Sequence, residues 1–299
     1  AMLQNAALHG AVIANHVECS SLLLHGGKVA GVKVTDTLSG ASLNVRAGHI
    51  INASGPWAER LASRLAPGQK QARLTASKGV HILTPPISDT CAIAVSGRDE
   101  HGFVMPWKGM SLVGTTDEAF AGDAAGAQPS QKEIALLVDK MARLLPSARP
   151  QLENPLGSFA GVRALPGAAG DTYRASRDAA FCDHAPDGAI GFHSVFGGKW
   201  TTARLIAEQV LDAIAPQFSK SLKTCDTRSA RISASPAAPD PGERLKQAAE
   251  REMAVTEDDF RRRIGSIALK SPPETIMAKG NVIKIKLAST ADTGYFYVT

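Results

Sequence analysis

At 299 residues the chain is long enough for one large domain or two modest ones, each able to bury a core. Its 44% hydrophobic and 20% charged residues exclude wholesale disorder. A formal charge of +5 fits an anionic substrate or an anionic membrane surface, although Lys and Arg are scattered and only Arg261, Arg262 and Arg263 are consecutive. No apolar run approaches the roughly 20 residues that a membrane-crossing helix requires. Cys19, Cys91, Cys182 and Cys225 are far apart and form no CxxC pair, which argues against a zinc site or a disulfide framework and for a reducing compartment.

The first residues read as the end of a helix, with Leu3, Ala7 and Leu8 at helical spacing and Gly10 as its stop. They lack the basic start and long apolar stretch of a signal peptide, and a chain that opens inside a helix reads as truncated. Short β segments follow at 11–24, 29–35 and 43–51, separated by Gly26-Gly27 and Ser39-Gly40 turns, as a meander that feeds a buried strand. Residues 57–65 predict a short helix closed by Pro67-Gly68. Strand signals continue from about Arg73 to Thr116, ending in a hairpin with Lys108-Gly109 near its turn. Apolar positions Ile134, Leu137, Val138, Met141 and Leu145 predict a helix over 130–145. Strands are expected at 157–165 and 189–196, then a helix from Lys199 to about Ile214 with an Ile206, Val210, Ile214 stripe. Residues 216–242 read as a linker and 243–264 as a charged helix or helix pair.

Three groups of residues carry candidate chemistry. In IINASGPW, Ile50 to Trp57, a buried strand ends in small residues that let backbone approach a ligand closely; a plain strand-to-helix turn fits the segment equally well. In FGGKWTTAR, Phe196 to Arg204, a strand ends in two glycines before a helix, whose first amides and dipole favour partial negative charge. Thr201 and Thr202 there either hydrogen-bond a ligand or cap the first turn. The third group is cationic or imidazole: His81, Arg163, Arg177 and Lys199, spread over separate segments. If they converge they suit a phosphate or carboxylate; if not, they are ordinary surface or salt-bridged residues. GTTD, with Thr115 to Asp117, ends a hairpin strand and is expected to shape the site or support it. The other seven histidines have no ligand spacing, and no metal site is expected.

Taken in order, NASGPW, KGVHI, FVMPW, GTTD, AGVRAL, SRD and GGKWTTAR resemble the flavin-dependent glycerol-3-phosphate dehydrogenases over roughly residues 1–215. The resemblance implies an α/β (α+β) fold: a partial Rossmann-like FAD-binding domain, an antiparallel-sheet substrate domain and a short helical carboxyl-terminal segment. The implied boundaries are 1–72 and 186–215 for the FAD-binding part, 73–185 for the substrate domain, and 216–276 for linker and helices. It further implies FAD as cofactor and oxidation of glycerol 3-phosphate to dihydroxyacetone phosphate by hydride transfer to flavin. Electrons pass to membrane quinone, or to oxygen in oxidase members, from an enzyme that is cytoplasmic or peripheral on the inner face of the cytoplasmic membrane. Carried over by position, His81 is the candidate base, Arg163 polarises the developing carbonyl oxygen, and Arg177 and Lys199 contribute charge, with Arg177 assigned to phosphate. Gly198, Lys199, Thr201 and Thr202 would meet the flavin ring, Ala53, Ser54 and Gly55 would lie along FAD, and the Val17 backbone would sit near the adenine.

The chain also departs from the family. The GxGxxG fingerprint that cradles the pyrophosphate is not in the sequence, nor is the family's amino-terminal Arg-containing substrate segment. Weak FAD binding and little activity are therefore expected of the chain as given. Glu250 to Gly265 resembles a late helix of the family's extra helical domain. Met277 to Thr299 is similar to the start of a bacterial large-subunit ribosomal protein, the pattern of an assembly junction, and nucleic-acid binding is not assigned to it. Two competing readings remain: a related flavin oxidoreductase acting on an amine or a 2-hydroxy acid, and an inactive truncated or fused product.

Overall fold

The computed structural model describes residues 2–65, 74–97, 100–167, 178–218 and 221–230. The expected amino-terminal helix is α1 (Met2–Leu8), and Gly10, at φ 90°, follows it in a conformation glycine adopts without cost. Strands β1 (Val17–His25), β2 (Lys28–Asp36) and β3 (Ser42–Arg46) form an antiparallel meander. Val32, Val34 and Val45 alternate onto its buried face. The expected strand 43–51 is divided: β3 ends at Arg46, and β4 (Ile50–Asn52) joins another sheet.

That second sheet has the order β11 (Ala179–Asp183), β12 (Phe192–Gly197), β4. β12 pairs with β4 in parallel and with β11 antiparallel. The meander is tied to it through Val29 N–H donating to the Ile190 carbonyl at 2.8 Å and Ile190 N–H donating to Gly27 at 2.9 Å. Helix α2 (Ala58–Leu65) covers the junction, burying Ala62 with Val29, Ala189 and Phe192.

The third sheet is antiparallel, with β5 (Leu74–Thr84) between β10 (Gly157–Pro166) and β8 (Met110–Gly114), then β7 (His101–Trp107) and β6 (Ile93–Ser96). Short β9 (Glu118–Ala119) pairs with the start of β5 where β8 has ended. The β7–β8 hairpin turns at Lys108-Gly109, both with positive φ (49° and 77°), the conformation a two-residue hairpin loop requires. One face of this sheet packs on α3 (Gln131–Leu144) and α4 (Arg149–Leu152). Val80, Ile82, Val104 and Val113 meet Leu137, Met141 and Leu152, all at most 1% exposed, and each such side chain contributes about 1.5–3 kcal/mol. The opposite face is open, and Phe103, Met105, Trp107 and Phe159 are exposed.

After β12 comes a short 3-10 turn and α5 (Ala203–Ile214), with Val210 and Ile214 of the expected stripe buried. The architecture is the mixed α/β one expected, with antiparallel sheets and few helices. β11, β9 and α4 were not foreseen, being short segments whose apolar pattern is weak. Residues 221–230 carry no helix or strand, and the expected helix at 243–264, the helical carboxyl-terminal segment and the tail from Met277 lie outside the described residues.

Candidate active site

Strand β5 separates two chemistries by its period of two. Lys78, Val80 and Ile82 face α3, whereas Ser77, Gly79 and His81 face the open side. Register places Phe103, Gly114, His81 and Phe159 in one row across β7, β8, β5 and β10. The His81 ring stacks on Phe159, with centroids 5.2 Å apart and planes 8° from parallel. On its other side it lies against Gly114, where an added Cβ would stand 2.2 Å from His81 Cδ2. His81 Nδ1 is buried and has no hydrogen-bond partner among the described residues. An unpaired buried nitrogen costs about 1–3 kcal/mol, a cost that packing of this ring against Phe159 and Gly114 has to offset.

Arg163, opposite Ser77 in the register, lies over Gly79; a Cβ there would fall 2.2 Å from Nη2. Its guanidinium is held by the GTTD segment. Nη2 donates to Thr115 Oγ1 at 2.8 Å and to the Thr116 carbonyl at 3.3 Å, and Nη1 donates to Ser77 Oγ and the same carbonyl, each at 3.3 Å. Thr116 Oγ1 accepts from Val80 N–H at 2.9 Å, and Lys140 of α3 donates to the Thr115 carbonyl at 2.8 Å. Within the segment expected to shape or support the site, Thr115 and Thr116 seat Arg163, and Asp117 accepts from Ser77. Burial lowers the His81 pKa below the ordinary imidazole value, and the Arg163 charge lowers it further.

The two glycine-containing loops meet because β4 and β12 are parallel neighbours, so Ala53–Gly55 and Gly198–Thr202 leave the same sheet edge, where α/β sheets hold ligands. Gly55, Gly197 and Gly198 have φ of 57°, 70° and 82°. Asn52, buried, shapes the first loop: Oδ1 accepts from Ser54 Oγ at 2.6 Å, and Nδ2 donates to the Ala58 carbonyl at 2.8 Å and to Ser194 Oγ at 3.1 Å. In the second loop Thr202 Oγ1 accepts from Lys199 N–H at 3.3 Å and donates to the Lys199 carbonyl at 3.0 Å, so it caps its own turn. Gly197 packs on Pro166, the last residue of Arg163's strand, and Gly55–Trp57 packs on β10. The loops therefore adjoin the open face that carries His81 and Arg163. Exposed Lys199, Thr201 and Thr202 beside backbone free of side chains fit a flat ring with polar edges.

Of the residues singled out from sequence, His81 and Arg163 come together, and Ala53, Ser54, Gly55, Gly198, Lys199, Thr201 and Thr202 lie on the two adjoining loops. Val17 opens β1 in the separate meander, and Arg177 lies outside the described residues. Ser77, Phe159 and Asn52 were missed, because nothing in local sequence reports a cross-strand partner. His184 and His193 are fully buried packing residues, as histidines without ligand spacing usually are. Among the described residues no helix is long and apolar enough to cross a membrane, and no His, Cys, Asp and Glu group could hold a metal ion.

Residues 1–212 match the family of FAD dependent oxidoreductases, and the chain belongs to that family. Within it the chain is similar to glycerol-3-phosphate dehydrogenase 2 of Mycobacterium tuberculosis, 33% identical over 219 residues that cover 72% of this chain and 36% of the relative. The glycerol-3-phosphate dehydrogenase of Synechocystis is 28% identical over 232 residues, covering 73% and 42%. The solved glycerol-3-phosphate dehydrogenase of Bacillus halodurans, complexed with FAD, superposes with a TM-score of 0.60 at 27% identity, covering 72% of this chain and 41% of that one. L-proline dehydrogenase of P. horikoshii, at 16% identity and TM-score 0.52, shares the fold. The chain spans about two fifths of the length of the glycerol-3-phosphate dehydrogenases it matches.

Proposed function

We propose that these residues form the flavin-ring and substrate side of a dehydrogenase that oxidises glycerol 3-phosphate to dihydroxyacetone phosphate and passes the electrons to quinone. The observation that carries this is the placement of His81 and Arg163 on one open sheet face, with Gly79 and Gly114 making room for them. The relatives in Mycobacterium tuberculosis and Synechocystis, both glycerol-3-phosphate dehydrogenases, support the same substrate.

Ala53–Gly55 and Gly198–Thr202 would hold FAD, which would supply a two-electron acceptor for the hydride on substrate C2. The chain's own groups do the rest. Burial and Arg163 disfavour protonation of His81, so the imidazole is suited to take the proton of the C2 hydroxyl. Arg163 sets a fixed positive charge near the oxygen as it becomes a carbonyl. Lys199 adds positive charge on the loop after β12, and Arg177 is assigned to the phosphate.

Dye reduction by the flavin-loaded protein tests the reading. Glycerol 3-phosphate is expected to outrun glycerol and 2-hydroxy acids, and His81→Gln to lower kcat about a hundredfold or more. Preference for a 2-hydroxy acid or an amine would sink it.

A further inference from the structure

Behind Arg163 runs a chain of hydrogen bonds that the proposed reaction leaves unused. Arg163 Nη1 donates to Ser77 Oγ at 3.3 Å, and Ser77 Oγ donates in turn to Asp117 Oδ1. A hydroxyl has one proton, and a carboxylate only accepts, so the Ser77 proton is committed to Asp117. Its lone pairs are thereby turned to the guanidinium. Ser77 is fully buried, which leaves no solvent to compete for either bond. The Thr115 and Thr116 contacts hold Arg163 from the segment after β8. Ser77 holds it from β5, the strand that also carries His81.

We propose that Ser77, oriented by Asp117, is a positioning residue that fixes the Arg163 guanidinium over Gly79 and beside His81. This rests on the reading of His81 as proton acceptor, but it requires no particular substrate. A fixed cation disfavours protonation of a neighbouring imidazole by an amount that falls with separation, so slack in Arg163 raises the proton affinity of His81. The other charged groups on elements packed against β5 are Asp117 after β8, Glu118 on β9, and Lys132, Glu133, Asp139, Lys140 and Arg143 on α3; Lys78 of β5 itself is paired to Glu133, and Arg143 to Asp139 and Glu100.

The test is an NMR titration of the histidine-labelled chain, with the His81 signal assigned by its loss in His81→Gln. Ser77→Ala is expected to raise the His81 midpoint by about half a pH unit, and Arg163→Gln by more. Ser77→Thr, which keeps the hydroxyl, is expected to restore it. His184 and His193, in another sheet, serve as internal references and should not move. An unchanged His81 midpoint in folded Ser77→Ala overturns the proposal. So does a shift shared by His184 and His193, which would report general loosening. If Ser77→Ala does not fold, Ser77→Cys, close in shape but weak as donor and acceptor, is read the same way. Failure to turn over glycerol 3-phosphate would instead strike the substrate reading, since this titration contains no substrate.

Discussion

A Cβ added at Gly79 would meet Arg163 Nη2, and one added at Gly114 would meet His81 Cδ2, both at 2.2 Å. The obstacles differ in kind. A guanidinium is the far end of a flexible side chain, so Gly79→Ala should displace Arg163 without breaking the strand. We expect kcat/KM for the proposed substrate, glycerol 3-phosphate, to fall about tenfold to a hundredfold, with Tm changed by only a few degrees; dye reduction and a thermal melt check this. The imidazole is rigid and stacked on Phe159, so Gly114→Ala should disturb both activity and stability. A pH profile follows from the same pair. With His81 as the proposed base, which works when unprotonated, its lowered pKa means that activity should persist below the ordinary histidine value and fail only as pH drops through the lowered pKa. Arg163→Gln removes one cause of the lowering, and the acid limb of kcat/KM should then move to higher pH. At this scale His81 and Arg163 were legible as chemistry-bearing residue types. Ser77 was not, since its meaning comes from a strand pairing across 86 residues.

Helix α3 shows how an element far from the chemistry supports it. Ser130 caps it reciprocally: Ser130 Oγ accepts from Glu133 N–H at 3.2 Å, and Glu133 Oε2 accepts from Ser130 N–H at 2.8 Å. Glu133 also pairs with Lys78, whose Nζ lies 2.7 Å from Oε1, the two side chains being 7% and 15% exposed. Burial works against the carboxylate, yet the hydrogen bonds from Lys78 and Ser130 outweigh it and hold the pKa below the usual value. Removing one partner strands the other. Glu133→Ala should cost about 3–5 kcal/mol in urea unfolding, against about 1 kcal/mol for Ser130→Ala. Equal losses would mean that capping alone matters. Periodicity read this helix to within a residue or two, because its stripe faces a single core. It did not reveal that Lys78 spans to it from β5, since a lysine two residues before buried Val80 looks like an ordinary solvated position.

Across the whole molecule, the sheet of β11, β12 and β4 is built around imidazoles. His49 Nδ1 lies 3.3 Å from His193 Nε2, His193 Nδ1 is 3.4 Å from Asp183, and His184 Nε2 is 2.8 Å from Ser194 Oγ. Phe218, beyond α5, packs on His49 with ring centroids 4.6 Å apart. Burial lowers the pKa of all three histidines, and Asp183 opposes this only in part. A histidine with a depressed folded pKa stabilises the fold above its unfolded value, near 6.5, and that stability is lost as pH falls through the folded pKa. The urea midpoint should therefore drop as pH is lowered from about 7.5 to about 5.5, and His193→Phe should flatten the dependence. A flat profile in the unaltered protein would remove these histidines as the acid-sensitive element.

By itself the sequence determined the alternation of strands, the α3 and α5 stripes, the hairpin at Lys108-Gly109 and the ordered motifs that mark a flavin enzyme. Those are local properties, written in periods of two and of about 3.6 residues and in the backbone freedom of glycine. Only the tertiary structure decided that His81 and Arg163 share a face, that Gly79 and Gly114 yield them space, and that the NASG and GGK loops leave one edge together. It also showed Thr202 capping its own turn and Ser77 relaying between Asp117 and Arg163. Such relations depend on register and on parallel pairing between segments about 140 residues apart, as Asn52 and Ser194 are. A one-residue slip in register would send every one of those side chains to the opposite face, and no local pattern encodes that choice.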